Sequence, residues 1–98
     1  MPVTLINRLS IKPGVIDEFI DAQRSFSSSA PNGLVGGRLY RSVDGKSVIL
    51  ISQFESAIAQ EAIFQTDAFK ENISKLRPFV ESSSPTLYEE AYSYGDFK

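Results

Sequence analysis

The sequence predicts an α+β fold in which a four-stranded antiparallel sheet carries its helices on one face. Three observations predict it. Apolar residues alternate along positions 3–11, the period of a half-buried strand. They recur every three or four residues along 15–26 and again along 67–79, the period of an amphipathic helix. Between these helical stretches, Asp44-Gly45 joins two runs rich in β-formers, the sequence signal of a hairpin. The resulting order, β-α-β-β-α-β, is the ferredoxin-like arrangement.

The first strand places Val3, Leu5, Asn7, Leu9 and Ile11 on one face and Thr4, Ile6, Arg8 and Ser10 on the other. Lys12-Pro13-Gly14 turns the chain into a helix over 15–26, whose Ile16, Phe19, Ile20 and Phe26 oppose Asp17, Asp21 and Arg24. That helix should fray through Ser27-Ser28-Ser29 and stop before Pro31, because the residue preceding proline disfavours the α conformation. Pro31-Asn32-Gly33 leads into a strand over 34–43, where Gly36-Gly37 marks a bend or a close backbone approach. Asp44-Gly45 suits a type I′ turn, and 46–55 is the return strand.

Ser56 can cap a short helix over 57–64. A break at Gln65-Thr66 separates it from a helix over 67–79 carrying Phe69, Ile73 and Leu76 inward. Ser82-Ser83-Ser84-Pro85 has the composition of a loop, which leaves 86–94 as the last strand with Tyr88, Tyr92 and Tyr94 on one face. The sheet face turned away from the helices retains Ile, Leu and Tyr residues. A contiguous apolar surface of that kind predicts a second copy packed sheet against sheet.

Composition narrows the chemistry. The 98 residues make one domain, 1–98, able to bury roughly two-thirds of its unfolded surface. There is no cysteine, hence no disulfide, thiolate metal site or cysteine nucleophile. There is no histidine either, which removes the commonest general base, metal ligand and haem ligand. Ten basic residues against twelve acidic leave no basic footprint for nucleic acid. The N-terminal stretch lacks the pattern of a signal peptide, and the apolar run at 48–51 is far too short to span a bilayer. The expectation is a cytoplasmic protein without nucleic-acid or membrane partners and without a bound cofactor or metal.

Particular residues stand out. Asn7 interrupts an apolar row, and burying an amide without partners costs about 1–3 kcal/mol. It either finds backbone partners in the core or faces a ligand pocket. Phe54, Phe64 and Phe69 are core phenylalanines or the wall of an aromatic cleft, and Tyr40 is an interface residue or a phenolic donor. Glu89 and Glu90 fall on opposite faces of a strand, so they do not form a carboxylate pair.

Several segments, taken in order, resemble a known family. They are Val3-Thr4-Leu5-Ile6-Asn7, Pro31-Asn32-Gly33-Leu34-Val35-Gly36 with Leu39-Tyr40-Arg41-Ser42, Gln53-Phe54-Glu55-Ser56, Asp67-Ala68-Phe69-Lys70 and Leu87-Tyr88-Glu89. Their order and spacing resemble the antibiotic biosynthesis monooxygenase superfamily of dimeric α+β barrels. The resemblance implies a homodimer and, in one branch, haem degradation. That branch's pocket asparagine matches Asn7, but its pocket tryptophan falls on Ile63 and its haem-ligating histidine on Ile73, so its chemistry is excluded.

The quinone-forming branch implies oxidation of polycyclic phenols by dioxygen without metal or flavin. Its tryptophan falls on Phe54 and its helix arginine on Lys70, while its pocket asparagine and tyrosine fall on Leu50 and Gln60. The reading is therefore a cofactor-independent monooxygenase acting on a small aromatic or polycyclic phenol or hydroquinone. Asn7 and Lys70 are the candidate catalytic residues, and Phe54, Phe69, Tyr40 and Phe64 the candidate substrate contacts. The alternative is a non-catalytic binding or stress-response protein on the same barrel, which the departures at Leu50 and Gln60 favour.

Overall fold

Alternation along the first segment produces a strand, β1 (Val3–Ile11), paired on both sides. The computed structural model describes residues 2–27 and 31–97. Besides β1, the sheet contains β2 (Leu34–Arg41), β3 (Ser47–Phe54) and β4 (Val80–Tyr88), in the order β2-β3-β1-β4. Every pairing is antiparallel. This is the predicted ferredoxin-like sheet.

Three helices cover one sheet face: α1 (Ile16–Ser27), α2 (Ala57–Phe64) and α3 (Asp67–Leu76). The break between α2 and α3 rests on one hydroxyl. Thr66 Oγ1 accepts the backbone N–H of Phe69 at 3.2 Å and donates to the carbonyl of Ile63 at 2.7 Å. It thus caps the start of α3 while satisfying a carbonyl at the end of α2. Ser56 does the same for the start of α2, its Oγ accepting the Ala59 N–H at 3.0 Å. No described helix is long and apolar enough to cross a membrane.

The inward residues of β1 divide into two clusters. Leu9 and Ile11 pack with Phe19, Val48 and Leu76 at one end. Val3 and Leu5 pack with Phe54 and Ile63 at the other. Between them the row is interrupted by Asn7, opposite Leu50 on one side and Pro85 on the other. Asn7 thus sits at the seam between the two clusters. On the outer face the same register sets Ile6 against Ile51 and Tyr40 against Ile49.

The glycine pair behaves as its composition suggests. Register shifts between Leu34 and Gly36, and a side chain at Gly37 would place its Cβ 2.5 Å from the Ile51 carbonyl oxygen. Elsewhere the structure corrects the expectation. The hairpin is a turn closed by the Gly45 N–H on the Ser42 carbonyl at 2.9 Å. Only Gly45 there has positive φ, at 74°, so the turn is type I followed by a left-handed glycine rather than type I′.

The flanking strands end at Arg41 and resume at Ser47. The Ser42 N–H still donates to the Ser47 carbonyl at 2.9 Å, but the Ser42 carbonyl is taken by Gly45, and the Ser42 and Asp44 side chains accept the Ser47 and Lys46 N–H groups. The helix expected over 67–79 ends at Leu76, and Arg77–Phe79 tighten into a 3₁₀ turn around Pro78, which has no N–H to continue the helix. The last strand begins at Val80, not Thr86, so the serine run is strand, while Tyr92 and Tyr94 lie beyond it. The fraying expected at Ser28 and Ser29 lies outside the described residues.

Candidate functional site

The seam at Asn7 opens into a cavity of about 490 Å³ between the sheet and the helices. That size is typical of small-molecule sites, roughly 300–1,000 Å³. From the sheet side it is lined by Leu5, Asn7, Leu50, Ser52 and Phe54, and from the helices by Phe19, Gln23, Ile63, Phe64, Phe69, Asn72 and Ile73. Its rim carries Arg77, Glu81, Ser82 and Ser83.

One wall is aromatic. Phe64 and Phe69 stack with ring centroids 4.0 Å apart and planes 16° from parallel. Phe54 meets Phe64 edge-on at 6.2 Å, and Phe26 meets Phe69 edge-on at 6.4 Å. The helix break at Gln65 and Thr66 makes this possible, since it turns the last residue of α2 toward the first turn of α3. A flat apolar ring fits against such a wall by offset stacking or by an edge contact.

The polar groups are few. Asn7 Oδ1 accepts the backbone N–H of Ser84 at 3.1 Å. Gln23 of α1 and Asn72 of α3 are buried on the helix side. Both went unremarked in the sequence, although a signal was there. Gln23 stands four residues after Phe19 and three before Phe26, and Asn72 three after Phe69 and four before Leu76, so helical periodicity turns both inward.

Of the residues singled out in the sequence, the cavity brings together Asn7, Phe54, Phe64 and Phe69. It leaves out two. Lys70 is exposed on α3 and borders a separate surface groove with Asp67, Glu71, Ser74 and Lys75. One position after inward-facing Phe69, it is rotated about 100° away from the cavity. Tyr40 projects from the outer sheet face, where its hydroxyl accepts Nη1 of Arg38 at 3.1 Å. Arg41, on the opposite face, pairs with Asp17 of α1 at 3.3 Å, both groups being exposed.

Ile63 and Ile73 line the cavity, at the positions where the resemblance would set the haem-degrading branch's tryptophan and histidine. A second hollow, of about 560 Å³, adjoins the first between α1 and β2 and shares Gln23, Ser27, Leu34, Leu50 and Ser52 with it.

Comparison with known proteins agrees with this architecture. Residues 2–74 match the family model described as antibiotic biosynthesis monooxygenase. No curated protein sequence matches the chain. Among solved structures, a variant of SnoaB from Streptomyces nogalater, described as a cofactor-independent oxygenase, superimposes with a TM-score of 0.85 at 21% identity, covering 94% of this chain and 95% of that one. Rv0793 from Mycobacterium tuberculosis gives 0.82 at 17% identity over 97% and 100% of the two chains. A conserved protein from Methanosarcina mazei gives 0.81 at 14% identity over 92% and 93%.

Proposed function

The chain belongs to the antibiotic biosynthesis monooxygenase family, and from that premise we propose that it is a cofactor-independent monooxygenase of a small aromatic or polycyclic phenol or hydroquinone. The observation that carries the reading is the stacked Phe64–Phe69 wall sharing one cavity with Asn7. Residues 1–98 are read as one domain, and the working unit as a homodimer joined through the outer sheet face.

In this reading the protein binds and orients while the substrate supplies the electrons. Phe54, Phe64 and Phe69 hold the ring plane. With its Oδ1 engaged by Ser84, Asn7 has its NH₂ group to offer, which donates to a phenolic oxygen and favours its deprotonated, more electron-rich form. A ring C–H para to that oxygen then becomes a carbonyl with one atom of dioxygen while the phenolic carbon becomes the second carbonyl, and the ring hydrogen and the phenolic proton leave with the other oxygen atom as water. No external reductant is needed for that balance. Lys70 and Tyr40 stand outside the cavity, and the proposed site is drawn without them.

The test is oxygen uptake by metal-free protein against a panel of hydroquinones and polycyclic phenols. Uptake above the protein-free rate, abolished by narrowing the cavity with Ile73→Phe, is expected. No uptake across the panel overturns the oxygenase. The second reading, a binding protein without turnover, is favoured by Leu50, which lines the cavity where the quinone-forming branch has asparagine. It predicts tight binding of the same phenols with oxygen consumption at the blank rate.

A further inference from the structure

Gln23 and Asn72 are, at 7% and 9% exposure, the buried polar residues among the described ones. Both line the cavity. Among the described residues neither side-chain amide has a hydrogen-bond partner, and no fully enclosed side-chain nitrogen or oxygen goes unpartnered. The two amides therefore reach open space instead of being sealed in protein, Asn72 along the cavity and Gln23 where the cavity meets the adjoining hollow. A core built for packing alone would carry leucine or methionine at such positions, since an amide buried without a partner is destabilising.

We infer that Gln23 and Asn72 form a second polar pole of the cavity, facing Asn7 from the helix side, and that the ligand is an uncharged flat molecule bearing a hydrogen-bonding oxygen at each of two edges. The inference rests on the site proposed above and specifies what it selects. Asn7, on the sheet, offers NH₂ donors. Gln23 on α1 and Asn72 on α3 each offer a donor and an acceptor, so they can bind a carbonyl or a hydroxyl.

The aromatic wall between the poles demands a ring spanning them. Charge is confined to Arg77 and Glu81, both exposed, at the rim and of opposite sign. A carboxylate arriving charged from water would lose its hydration without gaining a countercharge, so the lining selects a ligand that enters neutral, whose phenolic proton is lost only once its oxygen is held by Asn7.

The experiment measures binding under argon, so that turnover cannot intervene, with three probes of one shape: 1,4-naphthoquinone, naphthalene and 2-naphthoate. The wild type should bind the quinone at least about fivefold more tightly than either other probe, as expected for one or two added neutral hydrogen bonds. Asn72→Leu and Gln23→Met should each weaken quinone binding by about five- to tenfold while leaving naphthalene binding unchanged or stronger. Both replace an amide by an apolar group of similar bulk, and if one fails to fold the other carries the test.

Quinone binding unaffected by either substitution, 2-naphthoate bound as well as the quinone, or no quinone binding by the wild type overturns the inference. The outcomes separate from those of the oxygenase assay. Amide-dependent quinone binding without oxygen uptake refutes the oxygenase alone, and oxygen uptake indifferent to both substitutions refutes the second pole alone.

Discussion

Asn7 and Ser84 are joined across the β1–β4 ladder by a bond in which the side-chain Oδ1 of the first accepts the backbone N–H of the second at 3.1 Å. Asn7 faces Pro85 in the register, a residue with no N–H to give, so edge strand β4 is tied here partly by a side chain. The amide is thereby divided. Its oxygen is structural, and in the proposed site its nitrogen is the part that meets the ligand.

This division predicts different outcomes for two substitutions. Asn7→Leu removes the acceptor from Ser84 and should cost about 0.5–1.5 kcal/mol, reduced by the apolar surface it adds. Asn7→Asp keeps an oxygen for Ser84 and replaces the NH₂ by a second oxygen. At neutral pH it should leave the denaturant midpoint closer to wild type than Asn7→Leu does, yet weaken phenol binding at least as much. Urea titrations alongside binding of a planar phenol check both. Equal phenol affinity in all three proteins would remove Asn7 from the site.

The paired glycines of β2 predict a contrast between neighbours. A Cβ at Gly37 meets the Ile51 carbonyl oxygen at 2.5 Å, whereas one at Gly36 meets nothing within 4 Å. Gly37→Ala forces two strands apart and should cost about 1–3 kcal/mol, the usual range for overpacking. Gly36→Ala should be neutral or stabilise by up to about 1 kcal/mol through the unfolded chain. Thermal melts of the two variants give the comparison directly.

How far the molecule was legible in its sequence varied with the kind of information each part needed. β1, α1 and α3 follow from local period, and the start of α2 from the Ser56 hydroxyl positioned to cap it. β4 did not, because Ser82-Ser83-Ser84-Pro85 is a loop by composition. It becomes strand because β1 offers a ladder and because proline is tolerated on an edge. In the site, Asn7 was visible as a polar break in an alternating row. Tyr40 was left open between interface and site, because the face of β2 is fixed only by its register with β3, which puts Tyr40 beside Ile49 on the outer face. Lys70 rested on resemblance, which transfers a position without its orientation.

Asp44 predicts a pH dependence. The Ser42 hydroxyl, donating at 2.6 Å, and then the Lys46 backbone N–H at 3.0 Å hold its carboxyl below the usual aspartate value. A carboxylate depressed in the folded state contributes stability that is present above its unfolded pKa and lost as pH falls through the folded value. The hairpin should therefore weaken as pH drops below about 4. Asp44→Asn, which keeps the turn but cannot titrate, should lose less stability than wild type between pH 6 and pH 3. Parallel urea midpoints for the two proteins would contradict this.

The outer sheet face predicts assembly. Ile49, Tyr40 and Tyr88 are 38%, 43% and 49% exposed there, around the cross-strand pair Ile6 and Ile51. A second copy laid sheet to sheet would bury this row, with roughly 2,000 Å² or more removed from water in total. Ile51 is the position at which to break it, and the sign of the charge matters. Arg38 lies directly opposite Ile51 in the β2–β3 register, so a glutamate there would find a partner. A lysine would face a like charge in both copies. Ile51→Lys should therefore sediment as a folded monomer at micromolar concentration, where the wild type sediments as a dimer. A wild-type monomer at that concentration would refute the assembly, and a dimer that survives Ile51→Lys would move its interface to another surface.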